Sequence, residues 1–272
     1  MTEMKELVEL DKMMTSNAKN YCGYEDAEPK PWKCRIAELV GDEPTAKRLL
    51  KSMKKHDRFV PQKPAPGKKG SGWDISKCSK ASFPFQTHHL IPKGHLPTHA
   101  VCTWLTKAYT KDEKFQIKVD NNYDTDHANN GYCMPFASTT LQWMKAGENE
   151  TKQRQVAFQM MEKTGIQLHQ GSHAYGGFGG EQGDVEVEGY LQAVDALLNR
   201  IHRASVLHVK KCEVCKQGDG KPNVEPVVSV VRHMDQASRV LKARIDANQI
   251  FVSEIASQWH RQQSTGVVSI TP

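Results

Sequence analysis

The spacing of apolar residues predicts helices towards both ends of the chain. Apolar side chains recur at helical intervals between Glu3 and Met14, and a second helix is predicted from Pro44, a favourable first-turn residue, to about His56. Further along, the same spacing predicts one helix from about Val187 to Val209 and a single long helix from about Val227 to His260.

The middle of the chain mixes strand and helix patterns. Alternating apolar residues predict a short strand over 114–120, and helical spacing predicts a helix over 98–109. Another helix is predicted over 150–165, ending near Gly165. Together the patterns predict an α+β fold that is predominantly helical, with a small β element.

Composition adds an expected partner and compartment. The chain has 272 residues, a net charge of +6 and a pI near 8.8, which favours a polyanionic partner. No apolar run is long enough for a membrane span. Because the N-terminus lacks a basic-then-apolar leader, we expect synthesis in the cytoplasm without a cleaved signal peptide.

Three regions are predicted along the chain. Residues 1–80 form a helical segment that ends in a basic linker rich in proline and glycine. Residues 81–209 contain most of the histidines, and residues 210–272 contain a pair of cysteines followed by the long helix. The chemistry is therefore expected in the central region.

Four of the twelve histidines lie in the segment QTHHLIPKGHLPTH, residues 86–99. Metal-assisted phosphodiester hydrolysis needs imidazoles or carboxylates around a divalent cation, and a separate base for the attacking water. Neighbouring residues of a strand point to opposite sides. One of His88 and His89 can thus bind a metal while the other contacts the water.

Two further motifs supply matching groups. His169 and His173 are four residues apart, so on one helical turn both would face the same metal ion. Asn130 precedes Gly131 in a predicted tight turn, where an asparagine amide can tie the loop backbone together. His95 and His99 share the spacing, but Pro97 between them predicts that they do not lie on one helical face.

The motifs THHLIP, NNGYCMP and LHQGSHAY, in this order, resemble the HNH/endonuclease VII nuclease superfamily. They are most similar to its His-His (AHH-type) branch, which is often the toxin domain of bacterial polymorphic toxins. The resemblance covers about residues 82–200, with Thr87 where the family usually has alanine. It implies a small β-hairpin-plus-helix metal core, the His-Me finger, surrounded by helices.

The resemblance also implies a role for each matched residue. His88, His169 and His173 would bind one divalent metal ion, His89 would be the general base, and Asn130 would be the positioning amide. An all-imidazole shell suits zinc, nickel or manganese better than magnesium. The implied activity is metal-dependent, nonspecific hydrolysis of DNA.

A biological role follows from the same resemblance. It implies an antibacterial toxin, a secreted effector that a secretion-system component delivers into the cytoplasm of target cells. The producing cell would need a cognate immunity protein, expected to be acidic. Contacts to DNA phosphates, which would make binding salt-dependent, are expected from four lysines: Lys93, Lys107, Lys111 and Lys118.

The cysteines leave two interpretations open. Cys212 and Cys215 form half of a structural zinc site, and Cys22 and Cys34 could complete it. Alternatively these cysteines are buried thiols.

Two other functions compete with the DNase. The first is a zinc-stabilised nucleic-acid-binding or adaptor protein without catalysis. It would still bind nucleic acid after loss of His89, and it would not cleave nucleic acid with any divalent ion. The second is an RNase on the same scaffold.

Overall fold

A computed structural model describes most of the central and C-terminal chain. The described residues are 46–64, 75–92, 94–96, 99–105, 123–136, 150–169, 189–211 and 230–265. The chain divides into two compact units. The described parts of the first unit fall within 89–130 and 194–240, and those of the second within 46–88, 131–193 and 241–265.

The described residues form five α-helices and one two-stranded antiparallel sheet. In chain order these are α1 Ala46–Lys55, β1 Phe85–His89, β2 Gly131–Pro135, α2 Glu150–Thr164, α3 Tyr190–Lys211, α4 Val230–Asp246 and α5 Glu254–Thr265. The predicted class, mostly helical with a small β element, is confirmed. No helix among these residues has the length and apolar character that a membrane crossing requires.

The core of the second unit lies around α2, which packs against α5 and β2. Phe83, Met160 and Leu168 are fully buried in this core. Helix α2 ends as predicted, because Gly165 adopts a φ of +67° and its N–H donates to the carbonyl of Met161 at 2.7 Å. Glycine takes this left-handed conformation without the steric cost of a Cβ.

Helix α1 approaches β2 closely at Gly131, the first residue of the strand. A Cβ built on Gly131 would lie 2.6 Å from Met53 Sδ and 3.1 Å from Leu49 Cδ1. Both of these helix residues are buried. The two residues of the Asn-Gly pair therefore have different roles. Asn130 ends the turn, and Gly131 leaves room for the side chains of α1.

The prediction of one long helix over 227–260 is wrong. Helix α4 ends at Asp246, Asn248 turns with a φ of +54°, and α5 begins only at Glu254. The hydroxyl of Ser253 accepts the N–H of Ala256 at 3.3 Å, as an N-cap serine does.

The side chain of Gln167 stabilises this break. Its amide nitrogen donates to the carbonyls of Ile245 and Ile250, both at 2.9 Å, and its oxygen accepts the N–H of Val252 at 3.1 Å. These bonds replace those that an uninterrupted helix would have made.

An α-helix was predicted over 98–109, but the described residues of this range form a shorter helix of a different type. Residues Ala100–Trp104 form a 3₁₀ helix, held by i→i+3 bonds such as Leu105 N–H to Cys102 carbonyl. The ring of His99 caps it by accepting the N–H of Val101 at 3.1 Å. The helix predicted over 3–14 and the strand over 114–120 lie outside the described residues.

Candidate functional site

His88 lies near the end of β1 and is buried, with 2% of its surface exposed. Its Nε2 is 2.9 Å from the hydroxyl of Tyr190, the first residue of α3. Its ring centre is 4.9 Å from that of His169, with the ring planes at 62°. Strand β1 therefore brings one histidine of the pair against a histidine that follows it by some eighty positions in the chain.

The position of His169 is set by the edge of the sheet. Its N–H donates to the carbonyl of Pro135, the last residue of β2, at 2.7 Å, and the residue forms a parallel bridge with Phe136. His169 is thus extended, because its backbone pairs with the end of β2. The helical turn predicted from His169 to His173 continues into residues outside the described part of the chain and stays a prediction. His173 lies outside the described residues.

Two of the predicted metal ligands, His88 and His169, have a ring separation that would allow a shared ion. Imidazoles bound to one zinc ion, with metal–nitrogen distances of about 2.0–2.1 Å, have ring centres about 5 Å apart. The 4.9 Å between His88 and His169 matches this value. Within the described ranges, however, no group of three or more His, Cys, Asp or Glu side chains could hold a metal ion.

His89, the next residue, has a different partner. Its Nε2 lies 2.9 Å from Oδ1 of Asp126, a carboxylate that is only 5% exposed, whereas the His89 side chain is 17% exposed. The backbone N–H of Asp126 donates to Asp124 Oδ1 at 2.9 Å, which orders the turn that carries the carboxylate. A carboxylate only accepts hydrogen bonds, so this contact favours the tautomer with the proton on Nε2.

The side-chain amide of Asn130 ties together the loop after β1. Its Oδ1 accepts the N–H of Ile91 at 2.7 Å and the hydroxyl of Ser238 at 3.1 Å. Its Nδ2 donates to the carbonyls of Ile91 and Thr125, both at 3.0 Å. Asn130 is fully buried, and it binds both backbone groups of a residue two positions after His89.

A second histidine pair lies in the first unit. His95 Nε2 is 2.6 Å from Asp195 Oδ1, and His99 Nε2 is 4.0 Å from the same atom. Burial lowers the pKa of His99; Asp195 opposes this shift, and the neighbouring histidines His95 and His202 add to it. The pair does not share a helical face, yet both rings approach one carboxylate.

The remaining predicted site residues lie outside the described part of the chain. They are His173, Cys22, Cys34, Cys212, Cys215, Lys93, Lys107, Lys111 and Lys118. The predicted metal shell and the four-cysteine zinc site therefore remain predictions.

The sequence reasoning missed Asp126 and Tyr190 as partners of the histidine pair. Asp126 lies in the segment DTDHANNG, where the only available signal was an acidic residue four positions before the key asparagine. Tyr190 carries no local signal, because its role depends on a contact with a residue 102 positions earlier.

Comparison of the chain with protein-family models, with curated proteins and with solved structures finds no significant match. The resemblance to His-His nucleases therefore depends on the motifs in this sequence.

Proposed function

We propose that the protein is a metal-dependent endonuclease that hydrolyses phosphodiester bonds of DNA, with a His-Me finger core. The observation that supports this most is the different chemistry of two neighbouring histidines. His88 lies against the imidazole of His169, whereas His89 lies against the carboxylate of Asp126. Hydrolysis of a phosphodiester needs both a ligand pair and an oriented base.

His89 is the proposed general base. With its Nε2 proton directed to Asp126, the basic ring nitrogen is Nδ1, which takes a proton from the attacking water. The positive charge that then develops on the ring is stabilised by the buried carboxylate. Asp126 acts through His89 and is a positioning residue.

His88 and His169 would hold the metal ion, together with the predicted ligand His173. When bound, a divalent ion supplies positive charge beside the phosphate oxygens. The Tyr190 hydroxyl, bonded to Nε2 of His88, restrains the orientation of that ring. Zinc, nickel and manganese suit such imidazole ligands.

The biological role extends the proposal further. By its resemblance to toxin nucleases, the protein would act in the cytoplasm of a target cell, after delivery by a secretion system. An immunity protein would protect the producer.

The first test is plasmid cleavage by the purified full chain with zinc, nickel, manganese or magnesium, and with a chelator. We expect cleavage that the chelator abolishes. His89→Ala should reduce the rate by about 10²–10⁴-fold, the usual contribution of a general base, while metal content measured after dialysis stays unchanged. His56→Ala, which changes an exposed histidine, serves as the matched control.

Asp126→Asn tests the positioning role. It should lower kcat and leave KM unchanged, because the carboxylate does not contact DNA in this mechanism. Full activity of His89→Ala, or cleavage in the presence of chelator, would refute the mechanism. Transfer RNA degraded in preference to plasmid would instead indicate the RNase, and binding with no cleavage by any metal would indicate the nucleic-acid-binding protein.

A further inference from the structure

The second unit contains a pocket of about 800 Å³ that the proposed chemistry does not use. It lies where the end of α1 and the segment after it meet the start of β1. Its lining residues are Leu50, Lys54, Asp57, Arg58, Val60, Pro61, Gln62, Lys63 and Phe85.

The charges of this pocket favour an anion. Lys54, Arg58 and Lys63 are exposed cations, and Asp57 is the single carboxylate among the described residues of the lining. A lysine in the last turn of a helix is stabilised by the helix dipole, which is enough to explain Lys54. It does not explain the other two cations, which follow the helix and line the same pocket.

The pocket also contains an aromatic ring. Phe85 is half-buried, and its ring is packed edge-on against Phe83 with the ring centres 6.3 Å apart. Lys63 Nζ lies 5.5 Å from the centre of the Phe85 ring. A rigid ring beside several cations is the combination that binds single-stranded nucleic acid, since bases stack on the ring and phosphates pair with the cations.

We infer that this pocket binds a single-stranded segment of nucleic acid, with phosphates on Lys54, Arg58 and Lys63 and one base against Phe85. The inference rests on the proposed function, because the nuclease activity is the reason to expect nucleic acid as the ligand of this pocket.

Removing the three cations tests the phosphate contacts. The full chain carrying Lys54→Gln, Arg58→Gln and Lys63→Gln is compared with a matched triple variant, Lys47→Gln, Lys51→Gln and Lys55→Gln. The control removes the same charge from exposed lysines of α1 that do not line the pocket. Binding of a fluorescent single-stranded oligonucleotide is measured by anisotropy, in chelator to prevent cleavage.

The salt dependence of Kd is the main readout. Each phosphate contact to a single strand contributes about 0.7 to the slope of log Kd against log salt, so the pocket variant should lose about 2 from this slope. The control variant should lose less than half as much. Equal slopes in the two triple variants would overturn the inference.

Substitution of Phe85 tests the base contact. Phe85→Leu keeps an apolar side chain in the core and should weaken single-strand binding about tenfold, whereas Phe85→Tyr should retain it. Inorganic phosphate should compete only weakly with the oligonucleotide. Competition by phosphate as strong as by the oligonucleotide, or an equal effect of Phe85→Leu on duplex binding, would overturn the base contact.

The two proposals fail in different ways. Pocket-dependent binding without cleavage by any metal would refute the nuclease and leave the binding site standing. Cleavage together with identical binding by both triple variants would refute the binding site and leave the nuclease standing.

Discussion

Asn130 uses all four hydrogen-bonding positions of its amide, and each is buried. The sequence predicted that the amide of Asn130 ties the loop backbone together, because Asn130 precedes a glycine. The partners Ile91 and Ser238 could not be inferred, because the second of them is 108 positions away.

Asn130→Asp preserves the shape of this side chain and removes both donors. At pH 7 a carboxylate would face the carbonyls of Ile91 and Thr125, and we expect a loss of about 3 kcal/mol in the free energy of unfolding. The loss should shrink at lower pH, where protonation restores one donor.

Urea denaturation at several pH values measures this effect. The comparison is Asn129→Ala, which changes a neighbouring half-buried amide and should cost less than half as much. If Asn130→Asp is as stable as the wild type at pH 7, the amide does not tie the loop.

Asp126 and His89 are a second case at the residue scale. Histidine chemistry made His89 a candidate base, but the carboxylate that orients it was found only in the structure. The pairing depends on the turn formed by 124–127, whose approach to β1 no local pattern specifies.

At the scale of elements, the contact between α1 and β2 depends on the absence of a side chain. Gly131→Ala would place a Cβ 2.6 Å from Met53 Sδ, in a buried position that can yield little. We expect a destabilisation of about 1–3 kcal/mol from overpacking. Gly94→Ala is the matched control, because nothing lies within 4 Å of its Cβ position and its cost should stay below about 0.5 kcal/mol.

A double-mutant cycle identifies the cause. In a Met53→Ala background the new Cβ has room, so Gly131→Ala should cost clearly less than it does alone. Additive effects in the cycle would show that the strain arises elsewhere.

The break between α4 and α5 shows why helix ends were less predictable than helix centres. Apolar residues continue across 246–254 with helical spacing, so the pattern alone predicts one helix. The competing structure is stabilised by the amide of Gln167, a residue 78 positions before Ile245.

At the scale of the whole molecule, buried histidines make stability depend on pH. His233 is 4% exposed, and burial lowers its pKa to about 4. The unfolded chain takes up this proton near pH 6.5, whereas the folded chain does not until about pH 4. The stabilisation is therefore fully present above pH 6.5 and is lost as the pH falls towards 4.

This linkage predicts a decrease of up to about 3 kcal/mol in the free energy of unfolding between pH 6.5 and 4 from His233 alone. The lowered pKa of His99 acts in the same direction. His233→Leu should flatten the dependence measured by urea denaturation. Met234→Leu, at a buried position of the same helix, should shift the curve without changing its slope, and an unchanged slope in His233→Leu would contradict the assignment.

Each of the two compact units combines segments that are distant in the sequence. Periodicity reports how residues a few positions apart share a face, so it located α1, α2 and α3 within a few residues and predicted the helical bias of the fold. It contains no information on which distant segment covers that face.

The sequence by itself therefore determined the local features: most helices, the glycine end of α2, and the candidates His88, His89 and Asn130. The tertiary structure alone decided that His88 meets His169, that His89 meets Asp126, and that Gln167 interrupts the C-terminal helix. The reason is that local spacing constrains backbone conformation, whereas each of these contacts depends on the packing of segments between 37 and 85 positions apart.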